Sequence, residues 1–276
     1  MRSSSEQKTL RLGIAGLGHV GAAVVQLLQQ HADLIKQKAG CKVSVTAVSA
    51  RDAAKDRGFK RDGIVFHSNP LDLIADPQVD AVVELMGGAE GIAFDFVMQA
   101  IAAKKPVVTA NKALLALRSS VLLPLVIQHG APFYFEAAVA GGVPVIKVLR
   151  EALSANRIRA VYGILNGTCN FILSEMSQTG RAFADVLAEA QKRGYAEADP
   201  TFDIDGHDAS HKLAILAALA FGGVPHVDAI TVRGIRAITS LDISFARELG
   251  YCFLRCYHSC CFCICTQCCS CKRCCS

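Results

Sequence analysis

The densest run of chemically competent side chains lies between Gly194 and Lys212, where Glu197, Asp199, Asp203, Asp205 and Asp208 precede an apolar stretch starting at Leu213. Asp208 and Lys212 are spaced i, i+4, so a helix puts them on one face. A carboxylate in that position can orient an ammonium group and hold it charged as a proton donor. The same spacing on an exposed face makes only a surface salt pair. His207 and His211 share the spacing, but H-D-x-x-H has Asp where zinc peptidases have Glu, one methylene short for that general base. No third ligand is evident, so zinc hydrolysis is set aside.

A second chemistry is written in Gly16-Leu17-Gly18-His19-Val20-Gly21, which fits G-x-G-x-x-G. The pattern alone is weak, but here it follows an apolar strand and opens a helical pattern, the context of a dinucleotide site. The first glycine permits the tight turn and the second lets backbone approach a pyrophosphate. The third allows close helix–strand packing, and the helix N-terminus attracts the phosphates. The next strand ends in Val48-Ser49-Ala50-Arg51, with no acid before Asp52. Arg51 suits a 2′-phosphate better than a bare ribose, so NADP(H) is preferred and NAD(H) is the second choice. A solvated loop cation is the simpler reading of Arg51. Thr109-Ala110-Asn111-Lys112 follows a further strand at the carboxyl edge where parallel sheets bind ligands.

The elements that must hold these groups alternate. Leu10–Ala15, Lys42–Val48, Ala81–Leu85, Pro106–Thr109 and Pro132–Glu136 read as short strands, and Val20–Gln30 and Ile92–Lys104 as helices. Such alternation predicts an α/β fold, a Rossmann-type doubly wound parallel sheet, over residues 8–145. Residues 146–251 change texture. A longer strand is expected at Ile158–Leu165, helices at Phe183–Arg193 and His207–Phe221, and another strand at Ala229–Ile235. This predicts a second, α+β domain for substrate binding and oligomerisation.

The 276 residues are 52% hydrophobic and 19% charged with 22 glycines, which excludes a disordered or collagenous chain. The longest apolar run, Leu213–Val224, is well short of the roughly 18 residues a membrane span needs. No signal peptide is evident, so a soluble, cytoplasmic protein without a membrane partner is expected. Of 13 cysteines, 11 lie between Cys252 and Cys275, beside Arg255, Lys272 and Arg273. Without that stretch the formal charge falls from +5 to +2 (26 basic and 24 acidic residues), which argues against nucleic acid as a partner.

In this order, Gly16–Gly21, Thr109–Lys112, Glu136–Pro144, Gly163-Ile164-Leu165-Asn166-Gly167-Thr168-Cys169-Asn170 and Glu197–Lys212 resemble the homoserine dehydrogenases over residues 10 to about 251. The resemblance implies NAD(P)H-dependent reduction of L-aspartate 4-semialdehyde to L-homoserine, on the route to threonine and methionine. It implies Lys212 as general acid, Asp208 orienting substrate or lysine, and Glu197 binding the substrate ammonium within a substrate site that includes Asp203. Lys112 would sit between cofactor and substrate as a catalytic and cofactor-binding residue. Gly16, Leu17, Gly18, Val20, Gly21, Arg51, Thr109 and Gly167 would bind the cofactor. A sodium ion would be held near Glu136, Val139, Gly141 and Val143, mostly by backbone carbonyls. A homodimer or homotetramer is implied.

Two other classes compete. An acylating semialdehyde dehydrogenase would use Cys169 as nucleophile, although no activating partner is evident. A non-catalytic NADP-binding regulatory protein would fit the first domain and leave Glu197, Asp208 and Lys212 unexplained. Residues 252–276 form an anomalous tail. Its cysteines could bind soft metals as thiolates, but they lack the paired C-x-x-C spacing of a zinc ribbon. The abrupt change after Tyr251 reads as a shifted frame or truncation, not as native-like sequence.

Overall fold

The computed structural model describes residues 8–251 and, beyond them, only the backbone of four short strand segments. The chain separates into two units, Met1–Pro144 and Val145–Ser276.

In the first unit, β1 (Thr9–Ala15) leads through the glycine-rich turn into α1 (His19–Gln30), α2 (Ala32–Ala39) and β2 (Lys42–Ser49). Then come β3 (Val65–His67), α3 (Asp72–Ala75), β4 (Ala81–Glu84), α4 (Ile92–Ala102), β5 (Val107–Thr109), α5 (Lys112–His129) and β6 (Phe133–Tyr134). The strands form one parallel sheet in the order β3-β2-β1-β4-β5-β6, the expected doubly wound arrangement. All four residues of β4 and the last four of β1 are buried, as strands covered by helices on both faces must be. The order reverses between β1 and β4, so a crevice opens where these two strands end. β6 is shorter than expected, because Glu136 belongs to a 3₁₀ turn, Glu136–Ala138.

Two glycines make that crevice possible. Gly16 has φ 96°, and a β-carbon there would lie 2.6 Å from the carbonyl of Leu85. A β-carbon on Gly21 would lie 2.0 Å from the Gly16 carbonyl oxygen. Arg11 clamps β1 to the loop before β4. Its backbone N–H and Nε donate to Asp80 Oδ2 at 2.9 and 3.0 Å, and Nη2 pairs with Oδ1 at 2.6 Å.

The second unit begins with α6 (Val145–Lys147), which runs into a π-helical turn, Val148–Ala152. It continues through β7 (Ala160–Gly163), α7 (Gly167–Thr179), α8 (Phe183–Lys192), α9 (Thr201–Ile204), α10 (His207–Phe221) and α11 (Ser240–Glu248). Cys169, Ile172, Leu173 and Met176 recur at i, i+3, i+4, i+7 and bury one face of α7 against Val186 and Ala190 of α8. The strand expected at Ala229–Ile235 does not form. Val227–Ala229 is a 3₁₀ turn, and the Ile235 N–H goes instead to the Ile204 carbonyl at 2.9 Å. Gly234 passes so close to Asp205 that a β-carbon would lie 3.1 Å from its Cα. The remaining strands, β8 (Phe253–Leu254), β9 (Tyr257–Cys260), β10 (Cys263–Thr266) and β11 (Cys269–Ser270), are described as backbone only. β9 pairs antiparallel with β7. The cysteine side chains of residues 252–276, and any metal they would bind, lie outside the described residues.

Gly21→Ala is expected to lower stability by about 3 kcal/mol, because the methyl group meets backbone that cannot yield; urea unfolding measures it. The bond from Arg11 holds the Asp80 carboxyl below its ordinary value. Its contribution is full above the unfolded-state value of about 4 and is lost as pH falls through the lowered one. Arg11→Leu should therefore flatten the acid limb of the stability curve in unfolding measured from pH 7 downward.

Candidate active site

The Gly194–Lys212 run folds so that its carboxylates converge on the start of α7. Asn166 is the N-cap of that helix, its Oδ1 accepting the Cys169 N–H at 2.8 Å. Its Nδ2 donates to Asp203 Oδ1 at 2.8 Å and to Asp208 Oδ2 at 2.9 Å. Thr168 Oγ1 adds a bond to Asp203 Oδ2 at 3.2 Å. Asp208 and Lys212 lie one turn apart on α10, and Lys212 Nζ donates to Asp208 Oδ2 at 2.7 Å and to the Leu165 carbonyl at 2.9 Å. The side chains are 3% and 20% exposed, so a buried carboxylate meets a half-buried ammonium, not the surface salt pair that the spacing also permits. An ammonium has three donors. Among the described residues two have partners, leaving the third for the cavity that Lys212 lines.

That cavity, about 540 Å³, is lined by the charged side chains Asp203, Asp208 and Lys212 together with Gly167, Thr168, Phe171, Gly194 and Tyr195. It is the size of a small-molecule site with few, convergent polar groups. Glu197 is exposed and outside its lining. Cys169 is fully buried, and its thiol donates to the Asp203 carbonyl at 3.1 Å. It does not line the cavity, which removes the geometric basis for a thioester route.

In the first unit a cavity of about 600 Å³ occupies the crevice, lined by Gly16, Leu17, Gly18, Ser49, Arg51, Asp52, Arg57, Ser68 and the loop Leu85-Met86-Gly87. Gly21 packs beneath the turn, and Val20, 60% exposed, lies on the first turn of α1 outside the lining. Asp52 is turned into its own loop, its Oδ1 accepting the N–H groups of Ala54 and Lys55 at 2.8 and 3.2 Å. Arg57 ties that loop to the glycine turn, donating to the carbonyls of Leu17 at 2.9 Å and Asp52 at 2.7 Å.

Thr109 does not line the crevice. Its hydroxyl is buried and donates at 2.6 Å to Glu84, whose other oxygen accepts the N–H groups of Met86 and Gly87 at 2.8 and 3.1 Å. Asn111 caps α5 and donates to the Gly88 carbonyl at 2.6 Å. The Thr109–Asn111 segment thus shapes the loop that forms the crevice wall. Lys112 follows as the half-buried first residue of α5, also outside the lining. Glu136 and Val139 border a tight turn in which the Val143 N–H donates to the Ala140 carbonyl at 2.8 Å. Ala140 sits at φ 51°, a left-handed conformation costing about 1–2 kcal/mol. Among the described residues no cluster of three His, Cys, Asp or Glu could hold a metal. A cation at this turn would rest on carbonyl oxygens, a hard donor set.

Three residues that shape the two cavities had weak or no signals in the sequence. Asn166 carried a helix N-cap signal, a polar residue ahead of an apolar periodic run. Glu84 was marked only as the single acid ending an otherwise apolar buried strand. Arg57 carried no signal.

Residues 16–136 match the model for the NAD-binding domain of homoserine dehydrogenase, and residues 144–269 match the model for the homoserine dehydrogenase domain. The chain belongs to the homoserine dehydrogenase family. The second match runs past Tyr251, where the sequence reading ended the resemblance. Relatives include the homoserine dehydrogenases of Neisseria gonorrhoeae, 48% identical over 88% of this chain and 56% of that protein, and of Pseudomonas aeruginosa, 47% over the same shares. A crystal structure of a homoserine dehydrogenase from Thiobacillus denitrificans aligns with a TM-score of 0.87 at 46% identity, covering 92% of this chain and 58% of that one. The chain therefore spans little more than half the length of these relatives. None of its helices, among the described residues, is long and apolar enough to cross a membrane.

Gly18 has no atom within 4 Å of an added β-carbon. Gly18→Ala should fold normally yet weaken dinucleotide binding about tenfold or more, because its methyl group enters the crevice; fluorescence titration with NADPH against urea unfolding separates the two effects.

Proposed function

We propose that the protein catalyses the NADP(H)-dependent interconversion of L-aspartate 4-semialdehyde and L-homoserine in the cytoplasm, as a homodimer or homotetramer. The observation that carries this reading is the Lys212 ammonium, held by the Leu165 carbonyl and Asp208 with one donor left for the cavity. A bound nicotinamide supplies the hydride. Reduction of an aldehyde leaves negative charge on its oxygen, and Lys212 gives that oxygen a proton, the buried Asp208 orienting the lysine through its 2.7 Å bond. Asp203 and Asp208 face the substrate, and Glu197 takes its ammonium group. Lys112 acts between cofactor and substrate. Gly16, Leu17, Gly18, Val20, Gly21, Thr109 and Gly167 serve the cofactor. The preference for NADP rests on Ser49, Arg51, Arg57 and Ser68 around one cavity, and on Asp52 being engaged by its own loop. Glu136, Val139, Gly141 and Val143 hold sodium, a monovalent ion matched to backbone oxygens.

The test is NADPH oxidation with aspartate semialdehyde, by this chain and by the chain extended with the C-terminal part of the Neisseria relative. Lys212→Ala should lower turnover about 10²–10⁴-fold with NADPH affinity unchanged. It should also destabilise the fold by about 3 kcal/mol, since the buried Asp208 carboxylate loses the cation paired with it. Turnover close to the parent's would remove Lys212 from the mechanism.

A further inference from the structure

One side-chain amide in the second unit makes three bonds, and one of its partners, Asp208, is the carboxylate that holds the proposed proton donor. Asn166 is 4% exposed. Its Oδ1 caps α7 through the Cys169 N–H, while both hydrogens of its Nδ2 are committed, one to Asp203 and one to Asp208. The Asp208 oxygen that receives Asn166 at 2.9 Å is the one that receives Lys212 at 2.7 Å. Two donors on one oxygen fix the rotation of the carboxylate, and the carboxylate with the Leu165 carbonyl fixes the ammonium. The amide also separates two carboxylates that would otherwise repel across the gap. Capping alone needs none of this, since Ser or Asp caps a helix as well as Asn. Only a side chain with one acceptor and two forked donors serves all three partners.

We propose that Asn166 is a positioning residue for the proton donor: acting through Asp208, it sets the direction in which Lys212 presents its remaining N–H to the substrate carbonyl. This rests on the reading of Lys212 as general acid.

Asn166→Ser keeps a capping oxygen and replaces the two forked amide donors by one hydroxyl on a shorter arm, which cannot serve both carboxylates. It should leave NADPH affinity and the KM for NADPH unchanged while kcat falls about 10- to 100-fold, as expected when a reacting group is misaimed. The ¹⁵N resonance of the Lys212 ammonium should move in the same variant. Asn166→Asp should lose more activity, because it sets a third carboxylate against two. Combining it with Asp203→Asn restores an amide–carboxylate bond to position 203 but not to Asp208, so stability should recover and turnover should not. An unmoved ammonium resonance with near-parental kcat in Asn166→Ser would overturn the proposal, as would recovery of turnover in the double variant. If the parent chain and its extended form turn over no substrate, the dehydrogenase reading fails. The ammonium resonance then judges the coupling of Asn166 to Lys212 by itself.

Discussion

Burying an ammonium beside a carboxylate is unfavourable unless the remaining polar atoms of both groups are met by fixed partners. Apart from the ammonium N–H left for the cavity, the Asp208–Lys212 pair is met by groups drawn from three separate pieces of chain. Helix α10 supplies both charges at the spacing of one turn. The exit from β7 supplies the Leu165 carbonyl, and the cap of α7 supplies the Asn166 amide. The second unit is arranged so that these three pieces meet, and the apolar face of α7 against α8 is what anchors the cap there.

The first unit solves a similar problem at the end of β4. Glu84 is fully buried and accepts one hydroxyl and two backbone N–H groups. A carboxylate met by that many donors is a rigid fitting, and here it fixes the Leu85–Gly87 loop against the turn that Gly16 makes possible. Each unit thus has a buried acid beside its cavity, Glu84 met by neutral dipoles and Asp208 by one amide and one ammonium. Such dipoles need no reorganisation when a charged ligand arrives.

Much of this was legible in the sequence wherever one local signal sufficed. The glycine turn, the alternation of strands and helices in the first unit and the limits of α10 follow from periodicity and turn residues. The run from Asn166 to Asn170 was not read as a helix, because Asn, Gly and Thr at its start favour turns. Its apolar spacing becomes plain only from Cys169 onward. Ala229–Ile235 alternated like a strand, but a 3₁₀ turn takes its start and the Ile235 N–H goes to the Ile204 carbonyl. The Asn166 fork joins residues 37 and 42 positions apart, a distance over which no sequence window carries information. Thr109 was legible as the end of a strand at the ligand-binding edge, while the commitment of its hydroxyl to Glu84, 25 positions away, was not.

Because donor and carboxylate ride on the same helix, the pair moves as one body, and its chemistry is insulated from most of the cavity wall. Phe171, Gly194 and the Tyr195 side chain line that wall without bonding to Lys212 or Asp208. Substitutions at these positions can therefore reshape the cavity and leave the charged pair standing. The form of the pocket and its ion pair occupy different residues, and they can drift apart.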